Sequence, residues 1–422
     1  MDRRFFNMFP GLTEEKAIAI LRTPFTELED PSELYIAASH LINFPSEASI
    51  NALIDTVRDR NPEQAHHIAR RKAIESLGRL NAQNALPVIR ECLQESDRYV
   101  VENAVWAIGE IGTDDDDIKE EIAQLLNKPE QSYRTIIQIL AKFDYKAAFE
   151  RIEEHIESED EMIATASITA SCRLSNDYSR MEKVIEFLQH SNVMVRRSCI
   201  QDLIDAKFYQ AIPQIARCPV SVAFRLRGIR LLATEGITLG KLTFAEIESI
   251  CDRVVRDYPG DLEFVHEYDQ PPSLEFVIGE LYHTDFGRCY LASQTLLDRY
   301  TEQAEKALRE TYDREACNDY GAHYHVIKLW GWLQESSAYD TIVKDGLYNS
   351  EPQFMKSRAA AALALGNIGD KKAIPLLEEN LKTPIFHLKY ACLLALEQLG
   401  AKDRWQLVAD DADLLIREKV KA

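Results

Sequence analysis

The sequence offers almost nothing from which to build a β-sheet. It has no Asn-Gly turn and no long alternation of Val, Ile or Thr with polar residues, the patterns that mark hairpins and half-buried strands. Paired cysteines are missing too. The eight cysteines are scattered, none forms a C-x-x-C, and neither a disulfide framework nor a zinc ribbon has that spacing. The most apolar stretch, SRAAAALALGNIG (357–369), is shorter than the ~20 residues a bilayer crossing needs, so no membrane insertion is expected. Cations are in short supply: 49 Lys and Arg face 69 Asp and Glu, a formal net charge of −20. Nucleic-acid binding draws affinity from counterions released by clustered Lys and Arg, so this balance excludes nucleic acid as the main partner. The N-terminal MDRRFFNMFPGLTEEK lacks an apolar core and a small-residue cleavage site, which makes the cytoplasm the expected compartment.

What is present is a helical repeat. RRKAIESLGRLNAQNALPVIRECL (70–93) superposes on SRAAAALALGNIGDKKAIPLLEENL (357–381) with Arg70 on Arg358, Ala73 on Ala361, Gly78 on Gly366 and Pro87 on Pro375. VENAVWAIGEIG (101–112) and YACLLALEQLGAKDR (390–404) repeat parts of the pattern. Apolar residues at i, i+3, i+4 and i+7 line one face of a first helix, and a Gly or an Asn-Ala pair ends it. Proline then opens a second helix, where its missing N–H has no partner to lose. One such pair cannot bury its own apolar face, so the expected fold is an all-α, HEAT-like α-solenoid of stacked helix pairs with a concave ligand groove.

The repeat is clear from about 35 to 240 and again from about 352 to 405, and the expected division is an N-terminal array over 1–240 and C-terminal repeats with a cap over 351–422. Between them, 241–350 is aromatic, irregular and broken by prolines, and is expected to line a ligand pocket. Within it, YLASQTLLDRYTEQAEKALRETY (290–312) reads as one long helix. The stretch EACNDYGAHYH (315–325) gathers a thiol, two carboxylates, two imidazoles and two phenols. His323 and His325 are a His-x-His pair, which on a helix points to different faces, so a metal site is not expected. Cys317 has His323 near it in sequence, but nothing supplies an oxyanion hole, and a buried structural cysteine is the commoner reading. Asp319 reads equally as a helix cap and as a proton-handling carboxylate. Tyr324 and Trp330 read as pocket lining or as core. The repeat arginines, Arg225 and Arg227 among them, read singly as solvated or paired with acids, and on a groove wall as carboxylate clamps.

The units RRKAIESLGRL…ALPVI and ENAVWAIGEIG resemble those of the E/F-type phycobilisome lyases. DRRFFNMFPGLTEEKAIAIL, LYIAASHLINFPSEASINALI and CNDYGAHYH resemble the single-chain branch of that family that serves phycoerythrin. The resemblance implies a cyanobacterial enzyme that attaches phycoerythrobilin through a thioether to a cysteine of a phycoerythrin α-subunit. The bilin is a substrate and no cofactor is implied. It implies as partners the α-subunit and the bilin, and leaves open a second lyase subunit or chaperone. Two alternatives stand beside it: a lyase-isomerase that also yields phycourobilin, and a non-catalytic scaffold for phycobiliproteins. In the implied site, Asp319 shuttles a proton to the pyrroles with help from Tyr320, His323 or His325. Cys317, Asn318, Tyr324 and Trp330 surround the chromophore, and Arg225 and Arg227 engage its propionates. Asn318 cannot supply a titratable proton, which favours a simple lyase.

Overall fold

The computed structural model describes Phe9 and residues 11–422, the side chain of Phe25 excepted. Residues 1–8 and Pro10, which carry part of the N-terminal reading, lie outside the described residues. No strand occurs among those described. The chain divides into two compact units, Met1–Met181 and Glu182–Ala422, so segment 241–350 is an internal part of the second unit.

In the first unit, α1 (Glu33–His40), α2 (Gln64–Arg79), α3 (Arg98–Ile111), α4 (Tyr133–Lys142) and α5 (Glu161–Ser175) pack each on the next in chain order. Their inward stripes follow helical spacing: Ala73, Ile74 and Leu77 of α2, and Val101, Ala104, Val105 and Ile108 of α3, are buried. The termini have the expected chemistry. Asn81 and Gly112 take positive φ of 54° and 81°, and Pro87 sits in the first turn of Leu86–Glu91. The aligned glycines Gly78 and Gly366 have a different purpose. They lie inside helices, where a Cβ would come 2.9 Å from the Cα of Ala107 and of Ala395, so each lets the next helix approach closely.

The second unit contains α6 (Val193–Asp205), α7 (Val222–Thr238), α8 (Phe244–Arg256), α9 (Leu274–Glu280), α10 (Phe286–Arg299), α11 (Thr301–Thr311), α12 (Tyr320–Trp332), α13 (Met355–Ile368) and α14 (Phe386–Gln398). Helices α10, α12, α13 and α14 form a continuous stack; α7 packs on α6 and α8, and α8 on α14. The long helix expected over 290–312 is two helices. Tyr300 leaves helical geometry (φ −125°, ψ 21°) and its hydroxyl donates to the Pro272 carbonyl. That tertiary bond fixes the break although neither Pro nor Gly is present.

The repeat arginines are structural ties. Arg70 and Arg358, aligned in sequence, donate from Nε to the carbonyls of Val57 (2.6 Å) and Leu347 (2.9 Å), ahead of their own helices. Arg70 then pairs with Glu95, Arg196 with Asp285 and Arg225 with Asp257. Each fastens its helix to a neighbouring segment through charge-assisted bonds.

Candidate functional site

The expected site residues all lie in the second unit, and α12 carries most of them. Asp319 is its N-cap: Oδ1 accepts from the N–H of Gly321 (2.8 Å) and of Ala322 (2.7 Å). Oδ2 has no hydrogen bond among the described residues, so capping occupies one oxygen and leaves the other for a ligand. Tyr320, next in the chain, is 48% exposed, Asn318 is exposed and Cys317 half-buried. These four form the solvent end of the site. Beside them, Glu315 borders a cavity of about 770 Å³ between α9 and α11 that Ile278, Tyr282 and Thr311 also line.

One turn further on, the side chains turn inward. His323 is fully buried, with Nδ1 2.9 Å from Ser357 Oγ and its ring 4.5 Å from that of Phe354. His325 is also fully buried, 3.3 Å from Ser293 Oγ. Ser293 spends its own proton on the Cys289 carbonyl, so it accepts from His325 Nδ1–H. This assigns the tautomer and leaves Nε2 with a bare lone pair and no partner among the described residues. The two imidazoles serve different helices, and among the described residues no group of three or more His, Cys, Asp or Glu is arranged to hold a metal.

Burial pushes the His323 imidazole down to about 4 and, with Lys356 adding to the effect, that of His325 down to about 3. An unfolded chain takes up protons at these rings below about pH 6.5, while the folded protein does so only near 4 and 3. Their contribution is therefore complete above about 6.5 and is lost as the pH falls toward 4. Lys356, whose ammonium burial lowers to about 7, is protonated in both states below about pH 6; nearer pH 7 it begins to lose its proton only in the folded protein and adds slope of the same sign. The urea midpoint, read by tryptophan fluorescence, is expected to drop between about pH 7 and pH 4.5, with a shallower drop for His325→Phe. Equal midpoints would contradict neutral burial.

Tyr324 and Trp330 are core residues. Trp330 is fully buried under the Arg309 guanidinium, 5.0 Å above its ring. Tyr324 donates its hydroxyl to Asp257, the left-handed C-cap of α8 (φ 53°). Asp257 Oδ2 also accepts from Tyr290 (2.9 Å), and Oδ1 pairs with Arg225. Burial opposes the charge on Asp257, but Arg225 and Lys328, with the Tyr324 bond, outweigh it and hold the carboxyl below its usual range. Lys328 donates to the Arg256 carbonyl, and burial lowers its ammonium to about 8 despite Asp257. This answers the arginine expectation. Arg225 is 1% exposed and engaged by Asp257, Tyr290 and the Val220 and Ala216 carbonyls, so as folded it presents no face to a propionate. Arg227 is exposed and donates to Gln201 Oε1 at 2.7 Å.

The cation that does face this region is Lys356, at the start of α13. Its Nζ lies 3.9 Å above the Phe286 ring, 4.5 Å from that of Tyr320 and 5.3 Å from that of Tyr324. Phe286 and Tyr320 are stacked, 6.3 Å apart at 25°. Burial lowers the Lys356 ammonium to about 7, partly offset by Cys289, Asp319 and Asp257. Sequence reasoning passed over Lys356, Phe286, Asp257 and Tyr290. One signal existed for the lysine: two residues before the aligned arginines stands Ile68 in one repeat and Lys356 in the other.

Comparison with known proteins places the chain in a family. HEAT repeats match residues 63–134, and the PBS lyase HEAT-like repeat matches 357–383. The chain is 53% identical, over 99% of both lengths, to the uncharacterized phycocyanin operon protein Y of Pseudanabaena tenuis. It is 31% identical to the bilin biosynthesis protein CpeY of a Synechococcus strain, over 94% of this chain and 98% of that one. The phycocyanobilin lyase subunit alpha of a Picosynechococcus strain is 27% identical over 55% of this chain and 89% of its own length. The complex of CpcE and CpcF of phycocyanin lyase from Nostoc sp. PCC7120 shares the fold, with a TM-score of 0.50 at 23% identity over 58% of this chain and 96% of that one. The chain belongs to the E/F-type bilin lyase family, whose HEAT-like repeats it carries.

Proposed function

We propose that this protein attaches phycoerythrobilin to a cysteine of a phycoerythrin α-subunit through a thioether. The observation that carries the reading is the likeness to CpeY along nearly the whole chain, including the segment that holds the site. The geometry supports it. The reaction adds the acceptor's thiol across the ring A ethylidene double bond: an S–C bond forms, and the tetrapyrrole gains a proton. The nucleophile comes from the acceptor, so Cys317 has no covalent task. The proton needs a group at the ligand, and Asp319 Oδ2, which has no hydrogen bond among the described residues, stands at the mouth of the site beside Tyr320. His323 and His325, sealed in the core and held neutral, are suited to positioning α12 rather than to touching the chromophore.

A second acceptor follows from a specific observation: the relative at 53% identity is named for a phycocyanin operon. CpcE is found with CpcF, which keeps a second subunit among the candidate partners. The experiment is co-expression with phycoerythrin α- or phycocyanin subunits, each with phycoerythrobilin or phycocyanobilin, followed by absorbance of the denatured acceptor. Phycoerythrobilin on the phycoerythrin subunit is expected. Pigment only on phycocyanin would replace the acceptor, and a strongly blue-shifted product would make the protein a lyase-isomerase.

A further inference from the structure

Lys356 differs from the other cations packed into the second unit. Lys328 donates to a backbone carbonyl, Lys389 pairs with Asp411, and Lys419 with Glu248 and Asp252. Lys356 has no hydrogen bond and no ion pair among the described residues. It has only rings: Phe286, Tyr320 and Tyr324. An aromatic face attracts an ammonium electrostatically, but it accepts no conventional hydrogen bond, so three N–H donors remain unspent. Asp319, near enough to be felt, is not in ion-pair contact.

A cation whose N–H donors are unspent on protein groups is open to an anion. The outer ring of the three, Tyr320, is 48% exposed, which gives access from solvent. Such a ligand has a definite chemistry. An anion completes the ammonium, and a flat conjugated body extends the Phe286–Tyr320 stack.

From this we infer that Lys356 binds a carboxylate of the ligand while Phe286 and Tyr320 carry the adjoining planar ring. Resting on the bilin lyase reading, the group is a propionate of the open-chain tetrapyrrole, and Lys356 takes the task that the sequence had suggested for Arg225 and Arg227. Lysine at this position acts as a point charge on a flexible stem, anchored by the rings that flank it. Asp319, beyond ion-pair distance, keeps its free oxygen for the conjugated system.

The test needs no acceptor and no turnover. Free phycoerythrobilin and its dimethyl ester are titrated into the full-length protein and followed by absorbance. The parent is expected to prefer the free acid by about tenfold, the scale of one charge-assisted contact. Lys356→Met should lose that preference while binding the ester as the parent does, which also certifies its fold; Lys356→Arg should keep most of it. Should the Met variant bind neither form, Lys356→Gln, neutral and of similar reach, gives the same comparison. A preference that survives the loss of the cation overturns the assignment and leaves the lyase reading standing. A parent that binds neither form overturns both.

Discussion

Asp257→Asn is expected to destabilise the protein by about 3–5 kcal/mol, the usual cost of removing one partner from a buried ion pair. The substitution separates charge from conformation. Asn tolerates the left-handed backbone that Asp257 adopts (φ 53°), so no backbone strain is added. What is lost is the anion that compensates Arg225 and Lys328, both buried. Two tyrosine hydroxyls also lose their charged acceptor. Three of the four tryptophans, Trp330, Trp332 and Trp405, report on the same unit. The urea midpoint read by their fluorescence should fall well below the parent's. An unchanged midpoint would contradict the assignment of a charged Asp257. The effect should reach the site as well, because Tyr324 joins the cluster through its hydroxyl and the Lys356 cage through its ring.

Asp319→Asn is expected to lower the rate of bilin attachment by roughly 100-fold or more, within the range of a positioned proton donor or acceptor. Asn retains an oxygen that can accept from Gly321 and Ala322, so the helix cap survives and stability should stay within about 0.5 kcal/mol. Asp319→Ala removes both functions and should cost about 1 kcal/mol of stability besides. If the Asn variant attaches pigment as fast as the parent, the carboxylate is a cap and nothing more, and the proton has another source.

The repeat was legible because its constraints are local. A positive φ asks for Gly or Asn at 81, 112 and 369, a helix start tolerates Pro at 87 and 375, and close packing asks for Gly at 78 and 366. The site was only half legible. Its polar end, 317–320, was visible because the residues are consecutive. The cluster behind it was not, since Arg225, Asp257, Tyr290 and Tyr324 come from four elements, the last three in the stretch where the repeat loses its register. Arg225 could be marked as a repeat arginine, but whether it meets an acid or a ligand depends on Asp257, a residue that reads in sequence as an ordinary helix end. Lys356 was hidden in the Ala-rich repeat that follows it. The helix break at Tyr300 was hidden because Pro272, far back in the chain, sets it.

The central claim is that the protein itself carries the bilin and makes the covalent bond. The direct measurement is a single turnover: purified protein loaded with phycoerythrobilin is mixed with purified apo-α-subunit, and pigment that stays on the subunit after denaturation is measured against time. The account predicts a coloured lyase that loses its pigment as the subunit gains it covalently, slowed in Asp319→Asn. A protein that binds the subunit but holds no bilin, or leaves the subunit colourless, would be a scaffold and would contradict it.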